Sequence, residues 1–215
     1  MVSVCFRKCQ LVYPNIQVRL LPSIDRSKPV QNAAVTFAAL NELTQYVGSV
    51  IVGIDLSGNP ALGSFNDFIP FMDQAKAMGL KLSLHCGESN DGKSLDEAHS
   101  MLEYGMDRMG HGTFVYGKLY DVFSLRNQLS IAFVDNEALM KMASDRLIPF
   151  EVCITSNILC KTVGSSDTHH LTGLYARNHP VVICVSLLES SDFEPVEIKF
   201  TCHCRLMIME YLRQA

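Results

Sequence analysis

Residues 82–91 read LSLHCGESND. The run from Leu80 to Leu84 has strand character, and it ends abruptly in His85, Cys86, Gly87 and Glu88. A buried strand that carries a histidine and a carboxylate, three apart, to its tip is delivering polar chemistry to one end of a sheet. On those four residues alone the simpler account is a histidine that caps a strand and a glutamate that opens the next helix. The surrounding pattern decides between the two.

Short apolar runs with strand character recur on either side: QVRLLPSI (17–24), SVIVGIDLS (49–57), LKLSLHC (80–86), a brief DRMGH (107–111), PFEVCITS (149–156) and PVVICV (180–185). Their apolar character is nearly continuous, as expected of parallel strands covered on both faces. Between them, helical periodicity predicts helices over 32–47 (Phe37, Leu40, Leu43, Val47), 66–78 (Phe68, Ile69, Met72, Ala75), 94–104 (Leu95, Ala98, Met101, Leu102) and 137–147 (Leu139, Met140, Ala143, Leu147). Gly79 and Pro149 read as stops, and Pro70 as a first-turn proline.

Strand starts spaced by roughly 30 residues mark repeated βα units and an α/β fold with a parallel sheet. An open doubly wound sheet competes with a (β/α)8 barrel. No G-x-G-x-x-G follows an early strand, so the dinucleotide version of the open sheet loses support. Polar residues gather instead at strand carboxyl ends: Asp55-Leu56-Ser57-Gly58, His85 to Glu88, Gly110-His111-Gly112 and Thr155-Ser156-Asn157. A barrel builds its site there. The expected fold is an incomplete TIM barrel with about six of its eight strands.

Composition narrows the function classes. The 215 residues are 48% hydrophobic and 19% charged, with net charge −4, which is globular. With no basic stripe, nucleic acid is not an expected partner, and no apolar run reaches membrane-spanning length. MVSVCFRKCQLVYP is too interrupted for a secretory leader. The cysteines, with Cys86, Cys153 and Cys184 in apolar runs, are read as reduced thiols of a cytoplasmic protein. C-H-C at 202–204 has no partner pair for a metal.

Among the candidate residues, His111 between two glycines stands out, because glycines let backbone and ligand approach. A tight turn with an incidental histidine is the bland alternative. Asp55, Ser57 and Gly58 read either as a ligand-facing loop or as an ordinary turn. His169, His170 and His179 read as surface histidines, and Glu103, Asp107 and Asp145 as solvated charges. G-x-S-x-G, P-loop and H-E-x-x-H patterns are absent, as is the cytidine-type deaminase pattern.

In order, the chain carries GIDLSGNP, LHCGE, DRMGHGTF, EVCITSN and HPVVIC. Together these resemble the adenosine deaminase superfamily. GIDLSGNP, GHGTF and TSNILCKTVGSSDTHH resemble its adenosine deaminase-like branch, which acts on AMP methylated at the exocyclic amine. The resemblance implies a zinc-bearing (β/α)8 barrel that hydrolyses the amine or methylamine from carbon six of a purine nucleotide or nucleoside. It implies His85 as a zinc ligand, and Glu88 as the acid that protonates a ring nitrogen. It implies His111 as the histidine that orients and deprotonates the reacting water. Gly58 would contact the purine through its backbone, and Asp55 stands beside it as a second substrate-binding candidate.

The sequence departs from the family at both ends. The H-x-H of the family's first strand is missing, and Ser186 and Leu187 stand where two aspartates are expected. Residues 1–186 are therefore read as a partial barrel domain, with 117–136 as an insertion and 187–215 as a divergent C-terminal segment. The expectation is a truncated or alternatively spliced member, inactive by itself. The alternative is a non-catalytic isoform that binds purine weakly, or that associates through exposed strand edges with the full-length protein.

Overall fold

The computed structural model describes residues 19–47, 50–116, 135–166 and 168–184. Most of the segment 117–136 and all of 187–215, with Ser186 and Leu187, lie outside the described residues.

Six strands form one sheet in the order β1 to β6, every neighbouring pair parallel. They are β1 (Ser23–Asp25), β2 (Gly53–Ser57), β3 (Lys81–Cys86), β4 (Arg108–His111), β5 (Phe150–Cys153) and β6 (Val181–Cys184). The helices are α1 (Gln31–Val47), α2 (Phe65–Ala77), α3 (Gly92–Tyr104), α4 (Asp135–Asp145), α5 (Ile154–Leu159) and α6 (His170–Ala176). A doubly wound sheet reverses its strand order at a switch point. This sheet runs through in sequence order, as the arc of a barrel does, which settles the choice of architecture. No helix among the described residues is long and apolar enough to cross a membrane.

The two faces of the arc differ, which corrects the expectation of strands apolar on both sides. Ile54, Leu56, Leu82, Leu84, Met109, Phe150 and Val152 are fully buried and belong to the same apolar cluster as Phe37, Phe68, Met72, Ala98 and Met101 of the helices. Alternate positions of β1 to β5 face inward and are largely polar or glycine. Ser23, Asp55, Ser83 and Arg108 stand in register across four strands. Ser83 Oγ donates to Glu151 (2.9 Å) and Arg108 pairs with Glu151 at 3.1 Å. Two or three inward positions per short strand are too few to break the apolar appearance of the whole run.

Local chemistry places the helix ends. The Asp91 side chain caps α3 by accepting from Ser94 N (2.9 Å). Gly79, at φ 76°, follows α2 where a glycine stop was expected. Pro70 lies in the second turn of α2, not its first, so one carbonyl of the preceding turn loses its N–H partner. Residues 154–156, read as strand, instead open α5.

The glycines beside His111 make room for rings of this protein. A Cβ on Gly110 would stand 2.5 Å from His85 Nδ1. One on Gly112 would stand 2.3 Å from the Phe150 ring, at a φ of +60°. Phe150 is fully buried and cannot yield. Gly112→Ala is therefore expected to cost roughly 2–4 kcal/mol from overpacking and left-handed strain together. Urea unfolding measures it, and an unchanged midpoint would show that the turn after β4 is not held this tightly.

Candidate active site at the carboxyl rim

Three adjacent strands put the sequence-selected side chains on one rim. Asp55 is an inward residue of β2, not of a turn, and its Oδ1 lies 2.9 Å from His85 Nδ1 of β3. The ring N–H is not squarely aligned with that oxygen, since neither atom makes a hydrogen bond of good geometry. Asp55 Oδ2 accepts from Ser23 Oγ at 2.8 Å. Asp55 Oδ2 is thus hydrogen-bonded within the chain, and Oδ1 stands close beside the His85 ring.

The loops after β3 and β4 are laced together. Gly112 N donates to Cys86 O (3.1 Å) and Phe114 N to Gly87 O (2.9 Å). This lacing brings Glu88 beside His111, with Oε2 and Nε2 3.7 Å apart, too far for a direct hydrogen bond. The His85 and His111 rings meet edge-on at 5.3 Å. His85, Glu88, His111 and Asp55 therefore converge. Gly58, at φ 106°, sits in the loop after β2, and the space beside its Cα is filled by Asp25 and Ser27.

Charge is set by burial and by neighbours. Burial opposes the charged form of His85, but the close Asp55 carboxylate, with Glu88 and Glu151, outweighs it and raises the imidazole to about 9. Asp55 is lowered: burial opposes its ionisation, and His85 and the serines overcome that. Burial and then the charge of His85 push His111 down to about 4. Burial raises Glu88, though His85 and Arg26 oppose the rise. At neutral pH the rim therefore holds a neutral His111 beside a carboxyl that retains its proton more firmly than an exposed one.

A second tier was not foreseen. His169, His170 and His179 are 2%, 5% and 7% exposed, which overturns their reading as surface histidines. His179 Nε2 bonds Ile148 O at 2.8 Å and packs edge-on against Phe150. His170 Nε2 reaches the main-chain oxygen of His111 at 3.1 Å. Asn157, on α5, lies 3.3 Å from His111 Nδ1. Its only signal in sequence was the polar tail T-S-N after a strand. Asp107, read as a solvated charge, accepts from Leu82 N (2.9 Å) and pairs with Lys81.

The fit to zinc can be judged on these residues. A carboxylate beside the second nitrogen of a histidine is the usual way to orient a metal-binding imidazole, and His85 with Asp55 has that form. A zinc held by protein side chains needs at least three donors. Among the described residues no group of three or more His, Cys, Asp or Glu side chains could hold a metal ion. The described residues do not by themselves fit zinc.

A parallel βα arc with histidines and carboxylates gathered at its strand carboxyl ends is the arc of a (β/α)8-type barrel with a polar rim. The adenosine deaminase family model matches residues 4–186, and the chain belongs to that family. It is 40% identical over 172 residues to an adenosine deaminase-like protein of Drosophila melanogaster, covering 80% of this chain and 44% of that one. It is 38% identical over 169 residues to the N6-mAMP deaminase of Arabidopsis thaliana, covering 79% and 40%. The crystal structure of the Arabidopsis N6-mAMP deaminase superposes with a TM-score of 0.61 at 34% identity, covering 78% of this chain and 42% of that one. An adenine deaminase from Arthrobacter aurescens shares the fold, with a TM-score of 0.62 at 18% identity. The chain thus spans less than half the length of these relatives.

Proposed function

We propose that this rim is the proton-handling side of a site that hydrolyses the amine or methylamine from carbon six of a purine nucleotide such as methylated AMP. The observation that supports the reading is the convergence of Glu88 and His111, 3.7 Å apart, beside His85. Relatives named as N6-methyl-AMP deaminases occur in fish and mouse as well as in plants, and an Arabidopsis relative was crystallised with GMP and with IMP.

In this reading Glu88 holds a proton for a purine ring nitrogen, so that the neighbouring carbon accepts water. His111, neutral, orients that water. Asp55 holds His85 in place, and Gly58 presents backbone to the purine. Zinc belongs to the proposal as the group His85 would help to hold, where it would supply hydroxide near neutral pH. With one such imidazole identified, the 215-residue chain alone is proposed to be inactive.

Two observations favour a second reading, a purine-binding or self-associating chain. The described residues lack a three-donor metal group, and β1 and β6 end the described sheet without a further partner strand.

The deciding experiment is zinc per chain after loading and desalting, followed by an assay of methylamine release from N6-methyl-AMP. Inactivity of this chain predicts no retained zinc and no release. Stoichiometric zinc with turnover lost in Glu88→Gln would establish the enzyme and overturn the inactivity. Stoichiometric zinc without turnover of N6-methyl-AMP, AMP or adenosine would overturn the deaminase reading itself.

A further inference from the structure

We infer that Cys153 and Cys184 form a dithiol site at the carboxyl rim, which exchanges with small disulfides and closes into a reversible cross-strand disulfide. The inference does not depend on the deaminase reading.

The two cysteines are the last residues of β5 and β6, and they stand in register across these parallel strands. Register partners point to the same face of a sheet. Glu151, two positions before Cys153, faces inward, so both thiols face inward at the rim. The charges of His85, Glu151 and Glu88 all act on Cys153, which sets the pair beside the site already described. Both thiols are half-buried, so a small reagent reaches them. The two side chains share a hydrogen bond. The other acceptor near Cys184 Sγ is Val182 O, at 3.9 Å.

The strand spacing suits a bond that forms and opens again. Neighbouring parallel strands lie about 4.8 Å apart, inside the range of roughly 4.4–6.8 Å that the Cα atoms of a disulfide span. The Cβ atoms of a disulfide come to about 3.8 Å, less than the strand spacing. Closing the bond therefore draws the two strand ends together. Among the described strands β6 has β5 as its sole neighbour, so its end has room to move. A bond made under such strain is easily reduced, which is the character of a switchable pair and not of a permanent staple.

The hydrogen bond also prepares the exchange. It lowers Cys153 and, together with burial, raises Cys184: the first proton leaves readily because the remaining S–H donates to the thiolate. That thiolate attacks one sulfur of a small disulfide such as oxidised glutathione, forming a mixed disulfide and releasing one thiol. The Cys184 sulfur, losing its proton, then attacks Cys153 and releases the second thiol. Two electrons and two protons pass from the cysteine pair to the small disulfide. In a reducing compartment such a pair rests as the dithiol, and disulfides that form there are transient.

The test treats the reduced full chain with oxidised glutathione, quenches in acid, alkylates and digests with chymotrypsin. Cleavage after Leu159 separates Cys153 from Cys160. Mass spectrometry of the monomeric chain is expected to show a peptide linking Cys153 to Cys184, and dithiothreitol should abolish it. Cys160, exposed and at the end of α5, is the internal control for reagent access. Cys184→Ser should lose the linkage entirely and leave Cys153 carrying glutathione. The inference is overturned if Cys153 and Cys184 hold separate glutathiones in the wild-type chain, if they stay free while Cys160 reacts, or if they link to other cysteines or only between chains. If Cys184→Ser does not fold, the wild-type map decides. The readout is independent of zinc and of turnover, so a failed deaminase assay leaves it standing.

Discussion

Glu97→Ala is expected to destabilise the chain by about 3–5 kcal/mol, the usual cost of leaving a buried charge without its partner. Arg26, in the turn after β1, is 2% exposed and lies 2.6 Å from Glu97 Oε1 on α3, whose side chain is 12% exposed. Arg26 Nε also donates to Leu62 O at 3.0 Å. The same Glu97 oxygen accepts from Phe65 N at 2.6 Å, and Phe65 opens α2, where the first N–H groups have no partner inside the helix. One carboxylate therefore joins β1, the start of α2 and the body of α3. Its removal strands a guanidinium and an amide together. Calorimetry should show the midpoint falling on the order of 10 °C for a chain of this size. Glu97→Gln, which keeps an acceptor, should fall less. Replacing both partners with apolar residues should recover much of the loss, because an unpaired charge is worse than none. A fall of less than about 1 kcal/mol in Glu97→Ala would mean that the pair behaves as a surface bridge.

That pair shows where sequence reading stops. Arg26 and Glu97 are 71 positions apart, and no periodicity links them. The strands and the four long helices were legible because burial imposes a period on each: apolar runs for β2, β3 and β6, and stripes such as Leu95, Ala98, Met101 and Leu102 for α3. The short helix α5 was not legible. Ile154 and Thr155 are β-branched and continue an apolar strand, so local preference favours β. The helix instead follows from a tertiary contact: Asn157 is fixed against Thr113, 44 positions away, at 2.9 Å. The rim residues divide in the same way. His85, Glu88 and His111 stood out beside glycines at strand ends. His170 and Asn157 did not, because a histidine in a polar stretch gives no sign of burial until the chain is folded over it.

Stability should be greatest near neutrality and fall on both sides, for reasons that lie in the same rim. An unfolded histidine titrates at about 6.5. His111 and His170 are pushed down by burial to about 4 and about 3 in the folded chain. Between those values and about 6.5 the unfolded chain binds protons that the folded chain refuses. Their contribution is therefore present above about 6.5 and is lost as pH falls through the folded values. His85 has the opposite sign. Asp55 holds it at about 9 against burial, so its contribution is complete below about 6.5 and disappears as pH rises through the folded value. The raised Glu88 acts against the acid loss, since a carboxyl that prefers its proton favours the fold at lower pH. The depressed histidines, with Asp55 also lowered, outweigh one raised carboxyl, so the net effect on the acid side is a loss of stability. Urea midpoints from pH 4 to pH 10 measure the curve. His170→Asn should flatten the acid limb and leave the alkaline limb alone, whereas His85→Gln should flatten the alkaline limb. An acid limb unchanged in His170→Asn would mean that His170 is protonated in the fold, and that its bond to the His111 carbonyl is made by a cation.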